Sequence, residues 1–243
     1  MKRNILITGA GKGIGFECVK ILSTDKENFI YALVRSKSDL NKFKKIKNVI
    51  AFAGNVNNDA DINKIFYHAK INKVIINCLI NNAGIRQRKD FLGISKKDIR
   101  EVFQTNFFSI FHIMQIFSKN LIKKKRPGKI INIGSIVGNL GFKQLSGYAA
   151  TKMALIGLTK SFSVEMAKHN ISANVINPGF TKTSFYKKFK SKKKLYNWTL
   201  QRIPMKRWGE PLEIAKLVEF LISDQSSYIN GEEINIDGGW TNA

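Results

Sequence analysis

Three side chains in the middle of the chain, Ser135, Tyr148 and Lys152, have the types and spacing of a proton-transfer site. A tyrosine hydroxyl titrates near pH ~10, too high for acid–base work at neutral pH. Tyr148 and Lys152 are four residues apart, so on a helix they share one face, where the lysine charge is expected to lower the tyrosine pKa. Ser135 offers a hydroxyl that could hold a substrate oxygen. Together the three groups predict proton transfer between a carbonyl and an alcohol.

Two predicted elements would position these side chains. The apolar run Lys129–Ile133 has the pattern of a strand and ends directly before Gly134 and Ser135. A helical pattern then begins at Tyr148 and continues to about Lys168. The serine hydroxyl is therefore expected at a strand end, and the tyrosine and lysine on the helix that follows.

A second constellation lies near the amino end of the chain. Asn4–Thr8 has the pattern of a buried strand, and the glycine-rich segment Gly9–Gly15 separates it from a helical pattern that continues to Leu22. Glycines let the backbone approach a ligand closely, and the positive end of a helix dipole favours an anion. The segment therefore predicts a phosphate-binding loop. A tight turn without a ligand is the alternative.

The order of these motifs resembles the short-chain dehydrogenase/reductase family. The resemblance rests on Ser135 followed thirteen residues later by Tyr148-x-x-x-Lys152, on Thr8-Gly9-x-x-x-Gly13-x-Gly15, on Asn81-Asn82-Ala83-Gly84, on Asn177-Pro178-Gly179 and on Asp237-Gly238-Gly239. It implies an α/β fold, a single Rossmann-like domain over residues 1–243 whose doubly wound parallel sheet is flanked by helices on both faces. Strand and helix patterns that alternate along the chain agree with such a sheet.

The remaining elements follow from the same patterns. Strands are predicted at Phe29–Val34, Ile50–Ala53, Val74–Leu79, Ser172–Ile176 and Tyr228–Ile236, and helices at Lys97–Lys119 and Leu212–Ile222. Residues 182–208 lack a clear periodicity. In the family, this segment is the variable lid over the substrate.

The resemblance also implies roles for individual residues. The implied catalytic set is Asn106, Ser135, Tyr148 and Lys152, in which Asn106 holds a water that links the lysine to solvent. The implied cofactor-binding residues are Gly9, Lys12, Gly13, Ile14, Gly15, Arg35, Ser36, Asn55, Val56, Asn82, Ala83, Gly84, Tyr148, Lys152, Pro178, Gly179, Thr181 and Thr183. Asn55 replaces the usual acidic residue that accepts a hydrogen bond from adenine, and its amide carbonyl can still accept one.

The residues after the second predicted strand indicate NADP(H) as the cofactor. In NAD-binding folds an acidic residue about 20 positions after the glycine loop binds the ribose hydroxyls. Here Arg35, Ser36 and Lys37 take this place, and the first carboxylate is Asp39. A cation suits a 2′-phosphate, and Lys12 in the glycine loop adds a second one. The alternative is that Arg35 is a solvated loop residue of a basic chain.

The composition limits the class of protein. The formal net charge is +24, from 41 Lys and Arg against 17 Asp and Glu, and such a field would attract nucleic acid, an anionic membrane or an acidic partner. The basic residues are spread along the chain, so a coding bias toward lysine is the preferred account. The sequence has no nucleic-acid-binding motif, no apolar run of membrane-spanning length and no cluster with metal-ligand spacing. Cys18 and Cys78 are expected to be buried thiols, and the chain to be cytoplasmic.

Within the family, the chain looks most similar to the 3-oxoacyl-[acyl-carrier-protein] reductases of fatty-acid synthesis. This resemblance implies that Arg126 and the Lys168-His169 pair dock an acidic acyl carrier protein, whose pantetheine arm would reach Ser135 and Tyr148. Reduction of a sugar, polyol or other small ketone on the same frame is the alternative, because a fold does not determine its substrate. A non-catalytic cofactor-binding or nucleic-acid-binding protein is disfavoured by the intact catalytic set.

Members of the family commonly form tetramers through the helices around Asn106 and after Tyr148, and through the C-terminal strand. Those helices contain the large apolar residues Phe107, Phe108, Phe111, Leu155, Leu158 and Phe162. They exceed what one core-facing side needs, so a homotetramer is expected, and burial of all six in the core is the alternative.

Overall fold

The central element is a seven-stranded sheet in which all neighbouring strands are parallel. The computed structural model describes residues 2–184 and 186–243, so Met1 and Phe185 lie outside the described residues. The strands are β1 (Arg3–Thr8), β2 (Asn28–Val34), β3 (Val49–Ala53), β4 (Cys78–Asn81), β5 (Gly128–Ile133), β6 (Ile171–Pro178) and β7 (Glu233–Ile236). Their order is β3-β2-β1-β4-β5-β6-β7, which reverses between β1 and β4. Ligands of such sheets bind at the carboxyl edge beside this reversal.

Helices cover both faces of the sheet, as predicted. On one face α1 (Gly13–Leu22) and α8 (Pro211–Ile222) enclose a core with β1, β2 and β4. On the other face α2 (Asp59–Ile71), α4 (Ser109–Lys124) and α5 (Ser146–Met166) enclose a second core. The other helices are α3 (Lys96–Phe103), α6 (Tyr186–Lys190) and α7 (Lys193–Arg202). No helix in the described ranges is long and apolar enough to cross a membrane.

The fourth strand begins later than predicted. β4 starts at Cys78, whereas the apolar pattern predicted a start at Val74. Lys73 has a left-handed backbone with φ of 56°, and Asn77 bonds the Asn4 N–H through its side-chain oxygen instead of its backbone. Residues 74–77 are therefore not part of the strand, although residues 74–76 are apolar and the Asn77 N–H still donates to the Asn4 carbonyl at 2.9 Å.

The last strand is also shorter than predicted. β7 begins at Glu233, and the preceding residues from Tyr228 onward form a turn. Gly231 has φ of 80°, and the side chain of Asn230 accepts a hydrogen bond from the Ala173 N–H. The turn thus contacts β6 through the Asn230 side chain as well as through the backbone, where the Gly231 N–H donates to the Ala173 carbonyl at 2.8 Å.

The helix predicted at Lys97–Lys119 is longer and is interrupted. α3 is followed directly by a π-helical turn, Gln104–Phe108, and then by α4. The helix ends at Lys124, and the next residue, Lys125, has a left-handed backbone with φ of 50°. Short π-helical turns within helices are frequent at functional sites, and the 3.6-residue periodicity of a sequence does not reveal them.

The predicted lid, residues 182–208, contains the two short helices α6 and α7. The lid packs through aromatic rings around the fully buried Trp208. The ring centroids of Phe180, Phe189 and Tyr196 lie 5.1, 4.9 and 5.7 Å from the Trp208 ring centroid. The Trp208 indole N–H donates to Thr199 Oγ1 at 2.8 Å. Helices this short pack through aromatic contacts and show little apolar periodicity, which explains why the sequence pattern was indistinct.

The large apolar residues of α4, α5 and the π-helical turn divide between core and surface. Leu155 is buried, and Leu158 and Phe162 pack against the core beside it. Phe108 and Phe111 are 52% and 41% exposed. The exposed side of α5 adds Met153 and Val164, so an apolar surface does lie on these helices, although it is made in part of other residues than predicted.

Candidate active site

A cavity of about 600 Å³ opens at the carboxyl edge of the sheet, beneath the lid. The predicted site residues that line it are Lys12, Ile14, Asn82, Gly84, Ser135, Tyr148, Lys152, Pro178, Gly179, Thr181 and Thr183. They come from the ends of β1, β4, β5 and β6 and from the start of α5, so the parallel sheet brings together residues far apart in sequence. Within the described ranges, no group of three or more His, Cys, Asp or Glu residues is placed to hold a metal ion.

Ser135 and Tyr148 both line this cavity, and the Ser135 side chain is near enough to the Tyr148 hydroxyl to lower its pKa. Ser135 leaves the end of β5, where its N–H donates to Asn177 Oδ1 at 3.0 Å and its Oγ accepts from the Val137 N–H at 3.2 Å. Burial raises the pKa of Tyr148, although the Ser135 side chain and the charge of Arg86 lower it. Tyr148 is therefore a protonated acid at neutral pH.

Lys152 lies one turn further along α5 and is only 4% exposed. Its Nζ donates to the Ile133 carbonyl oxygen at 2.7 Å and lies 5.7 Å from the centroid of the Tyr148 ring. Burial lowers the pKa of Lys152 to about 8. The lowered Tyr148 pKa expected from the sequence is wrong in its net direction, because burial raises this pKa by more than the Ser135 side chain and the Arg86 charge lower it.

Asn106 is fully buried in the π-helical turn between α3 and α4. Its Oδ1 accepts from the Ile85 N–H at 2.9 Å, and its Nδ2 donates to the Ile85 carbonyl at 2.9 Å and to Thr151 Oγ1 at 3.1 Å. The amide thus joins the loop after β4 to the helix that carries Tyr148 and Lys152. That Asn106 also holds a relay water stays a prediction.

The glycine loop has the backbone that a phosphate-binding turn requires. Gly9 and Gly13 have φ of 65° and 57°, and a Cβ on Gly15 would lie 2.5 Å from the Gly9 carbonyl oxygen. α1 begins at Gly13, and the side chain of its N-cap residue, Lys12, makes no capping hydrogen bond to the first-turn N–H groups. These features fit the phosphates of a dinucleotide.

The Asn82-Ala83-Gly84 segment supports this loop. Asn82 Nδ2 donates to the carbonyl oxygens of Thr8 and Gly9 at 3.0 Å each. Thr8 Oγ1 in turn accepts from the N–H groups of Asn82 and Ala83 at 3.0 and 3.1 Å. The ends of β1 and β4 are thereby held at a fixed separation.

Arg35 and Ser36 are exposed directly after β2, at the same edge of the sheet as the glycine loop. Asp39 lies near the loop, but its carboxylate pairs with Lys42 at 2.6 Å. Lys42 Nζ also donates to the Gly11 carbonyl oxygen at 2.6 Å. A 2′-phosphate next to Arg35 would therefore meet a carboxylate that is already neutralised.

Asn55 and Val56 follow β3 at this edge. Asn55 Oδ1 accepts from the Asn57 N–H at 3.0 Å, and the Asn55 N–H donates to Asp61 Oδ2 at 2.8 Å. An amide oxygen has two lone pairs, so the predicted bond to adenine is still available. Val56 is partly buried against the core.

The segment after β6 forms the opposite wall of the cavity. A Cβ on Gly179 would lie 2.7 Å from Asp237, and Thr181 forms an isolated parallel bridge with Gly209. The Thr183 methyl group would lie 3.4 Å from a Cβ on Gly13. The wall therefore connects the lid to the glycine loop.

Arg86, Arg88, Lys188 and Lys192 line the cavity and were not identified from the sequence. Arg86 and Arg88 lie within four residues after the N-N-A-G motif. Their closeness to this motif was the signal in the sequence that could have identified them. Lys188 and Lys192 lie in the segment predicted as the lid, but the sequence did not indicate that they line the cavity.

The predicted docking residues lie at the opposite edge of the sheet from the cavity. Arg126 precedes β5, and Lys168 and His169 precede β6, whereas Ser135 follows β5. A six-residue strand separates the two edges by roughly 20 Å. The docking residues do adjoin, because β5 and β6 are neighbours. That a carrier arm bound there reaches Ser135 and Tyr148 stays a prediction.

Comparisons with known proteins agree with this geometry. A family profile described as enoyl-(acyl carrier protein) reductase matches residues 9–241. The chain is 36% identical to the 3-oxoacyl-[acyl-carrier-protein] reductase FabG of Buchnera aphidicola, over 98% of this chain and 97% of that protein. It is 32% identical to the 5-keto-D-gluconate 5-reductase of Escherichia coli, over 98% and 94%.

A solved structure of ElxO with NADP bound has a TM-score of 0.91 and 29% identity, with 100% of both chains covered, and another solved structure of similar fold carries NADH. The profile match, the relatives and the Ser135–Tyr148–Lys152 site lead to the same family. The chain belongs to the short-chain dehydrogenase/reductase family and is an oxidoreductase that acts on CH–OH and C=O groups.

Proposed function

We propose that this chain catalyses the NADP(H)-dependent interconversion of a carbonyl and a secondary alcohol. The observation that carries the proposal is that the Ser135–Tyr148 pair and the wall built by the glycine loop share one cavity. Lys12 and the first turn of α1 would hold the cofactor's phosphates. NADP(H), when bound, supplies or accepts the hydride.

The protein's own residues handle the proton. In reduction, Ser135 holds the carbonyl oxygen by a hydrogen bond, and Tyr148 gives its proton to that oxygen as the alcohol forms. The raised pKa keeps Tyr148 protonated at neutral pH, which suits donation. Lys152 is charged below its pKa of about 8 and stabilises the tyrosinate that remains. Oxidation requires Tyr148 to lose its proton first, so it should need a higher pH.

The cofactor is NADP(H), because Arg35 and Ser36 are exposed where the adenosine ribose is expected and Asp39 is neutralised by Lys42. Arg35→Asp replaces a phosphate contact by a repulsive charge. We expect the kcat/KM for NADPH to fall roughly 10- to 100-fold and that for NADH to change little. Steady-state kinetics with both cofactors measure this.

Lys47→Asp is the matched control, since it makes the same change of charge in an exposed residue before β3, at the other edge of the sheet. It should leave the cofactor preference unchanged. Equal use of NADPH and NADH by the wild type would contradict the assignment.

The first substrate candidate is a 3-oxoacyl thioester on acyl carrier protein, reduced in fatty-acid synthesis. It is supported by the similarity to FabG and by the basic surface at Arg126 and the Lys168-His169 pair, which suits an acidic carrier. Because this surface lies at the far edge of the sheet, the arm would enter the cavity of another subunit. We therefore couple this candidate to a homotetramer, which the exposed Phe108 and Phe111 support.

Charge reversal at the docking surface tests this candidate. Arg126→Glu should lower kcat/KM for a carrier-linked 3-oxoacyl thioester about tenfold or more and barely alter that for free acetoacetyl thioester. Electrostatic steering of the acidic carrier is screened beyond about 8–10 Å at physiological salt. Added salt should therefore lower the wild-type kcat/KM for the carrier-linked thioester much more than that for the free thioester. Lys64→Glu, exposed on α2, is the control. If carrier-linked substrates have no advantage over free ones, this candidate fails.

The second candidate is a small keto or hydroxy acid. The specific observation in its favour is the cationic lining of the cavity by Arg86, Arg88, Lys188 and Lys192, which a neutral thioester does not need. The similarity to a 5-keto-D-gluconate 5-reductase, whose substrate is an acid, agrees with it.

A further inference from the structure

We infer that Arg86 forms a carboxylate-binding subsite beside Tyr148, which makes the substrate a short keto or hydroxy acid. The inference rests on the proposed carbonyl chemistry at Ser135 and Tyr148 and adds the chemical class of the substrate.

The loop that carries Arg86 is held on both sides. On one side, the Asn106 amide bonds both the N–H and the carbonyl of Ile85 at 2.9 Å each. On the other side, Arg88 Nε donates to Gln144 Oε1 at 3.0 Å, and the Lys89 N–H donates to the Gln144 carbonyl at 3.0 Å. A side chain whose backbone is anchored in this way can hold a ligand at a defined distance from the reacting groups.

The field in the cavity is positive. The cationic residues that line it are Lys12, Arg86, Arg88, Lys152, Lys188 and Lys192, and no Asp or Glu is found among the described lining residues. The carboxylates near the loop have partners of their own: Asp90 accepts from Gln144 Nε2 at 3.0 Å, and Asp98 pairs with Lys89 at 2.7 Å. A cleft lined by one sign of charge concentrates ligands of the opposite sign.

Among these cations, Arg86 is the one placed to bind the part of the substrate that lies next to the reacting carbon. Lys12 belongs to the phosphate loop, and the Lys152 ammonium is bonded to the Ile133 carbonyl. Arg88 Nε is bonded to Gln144 Oε1, and Lys188 and Lys192 lie on or beside the lid helix α6. Arg86 is exposed like the lid lysines, but it follows β4 in the loop that Asn106 anchors. The charge of Arg86 is close enough to the Tyr148 hydroxyl to lower its pKa.

A guanidinium group offers parallel N–H donors that match the two oxygens of a carboxylate. A carboxylate bound by Arg86, in a molecule whose carbonyl oxygen is held by Ser135 and Tyr148, must lie within a few bonds of that carbonyl. Neutral ketoses have no group for this subsite. In a carrier thioester the carboxyl group is esterified and carries no charge, so the subsite favours the acid over the thioester.

The test compares acids with their amides in wild type and Arg86→Gln. The substrates are 2-oxobutanoate, acetoacetate and 4-oxopentanoate, each paired with its carboxamide, which has the same shape and no charge. We expect the wild type to prefer at least one acid, and Arg86→Gln to lose roughly 10- to 100-fold in kcat/KM for that acid but less than about threefold for its amide. Arg86→Lys should recover part of the loss, since it restores charge but not the paired donors.

A binding measurement makes the test independent of turnover. The hydroxy acid and hydroxy amide that correspond to the preferred pair, or 3-hydroxybutanoate and its amide if no ketone reacts, are titrated calorimetrically into NADPH-saturated protein. The acid should bind the wild type more tightly, and this advantage should disappear in Arg86→Gln. Arg100→Gln, exposed on α3 and outside the cavity, removes one positive charge and should change nothing.

The outcomes separate the two proposals. Equal losses for acid and amide, or an acid preference that survives in Arg86→Gln, would overturn the subsite even if reduction itself is confirmed. Binding of the acid that depends on Arg86, without turnover of any ketone, would support the subsite while the proposed reaction fails.

Discussion

Tyr148→Phe should lower kcat for carbonyl reduction by about 10²–10⁴-fold, the range for loss of a general acid. The hydroxyl is the only group removed, and it lies in the cavity beside the Ser135 side chain. NADPH binding should stay within about twofold of the wild type, because the ring and the rest of the cofactor wall remain. Single-turnover kinetics and nucleotide fluorescence measure the two quantities separately.

Tyr67→Phe is the control for this variant, since Tyr67 is 64% exposed on α2, far from the cavity. It should retain wild-type kinetics. Near-normal turnover by Tyr148→Phe would mean that another group donates the proton.

The pH profile of the wild type should separate the tyrosine from the lysine. The pKa of Tyr148 is raised, so it stays protonated through the neutral range. The pKa of Lys152 is lowered to about 8, so its charge is present below that pH and lost above it. The rate of reduction should therefore be flat near neutrality and fall above about pH 8, and a fall that begins below neutrality would contradict this assignment.

Gly15→Ala should weaken NADPH binding on the order of 10- to 100-fold, which is what overpacking of about 1–3 kcal/mol produces. The added methyl group would lie 2.5 Å from the Gly9 carbonyl oxygen and against the Asn82 amide, so the glycine loop must shift. Because Asn82 also bonds Thr8 and Gly9, the shift should extend to the end of β4. Fluorescence titration with NADPH and thermal melting measure the effects on binding and on stability.

Gly93→Ala is the matched control. Among the described residues, no heavy atom beyond Gly93 and its two chain neighbours lies within 4 Å of the position that a Cβ would take, and Gly93 is exposed. It should bind NADPH like the wild type. Unchanged NADPH affinity in Gly15→Ala would show that the loop does not hold the phosphates.

The sequence by itself determined the family and the parallel sheet, and it identified the candidate reacting groups. Ser135, Tyr148 and Lys152 could be identified because their chemistry is local: one lies at a strand end and the other two are one helical turn apart. The glycine loop could be identified for the same reason, since its strand, turn and helix are contiguous. Apolar runs also predicted most strands, because strands buried on both faces must be almost wholly apolar.

The tertiary structure decided what depends on burial and on contacts between distant segments. The direction of the Tyr148 pKa was wrong from the sequence because spacing reveals the neighbouring lysine but not the loss of water around the hydroxyl. The place of Arg86 in the cavity depends on Asn106, whose π-helical turn has no signature in the apolar pattern. Arg126 and Ser135 flank the same strand, β5, which places the two residues at opposite edges of the sheet.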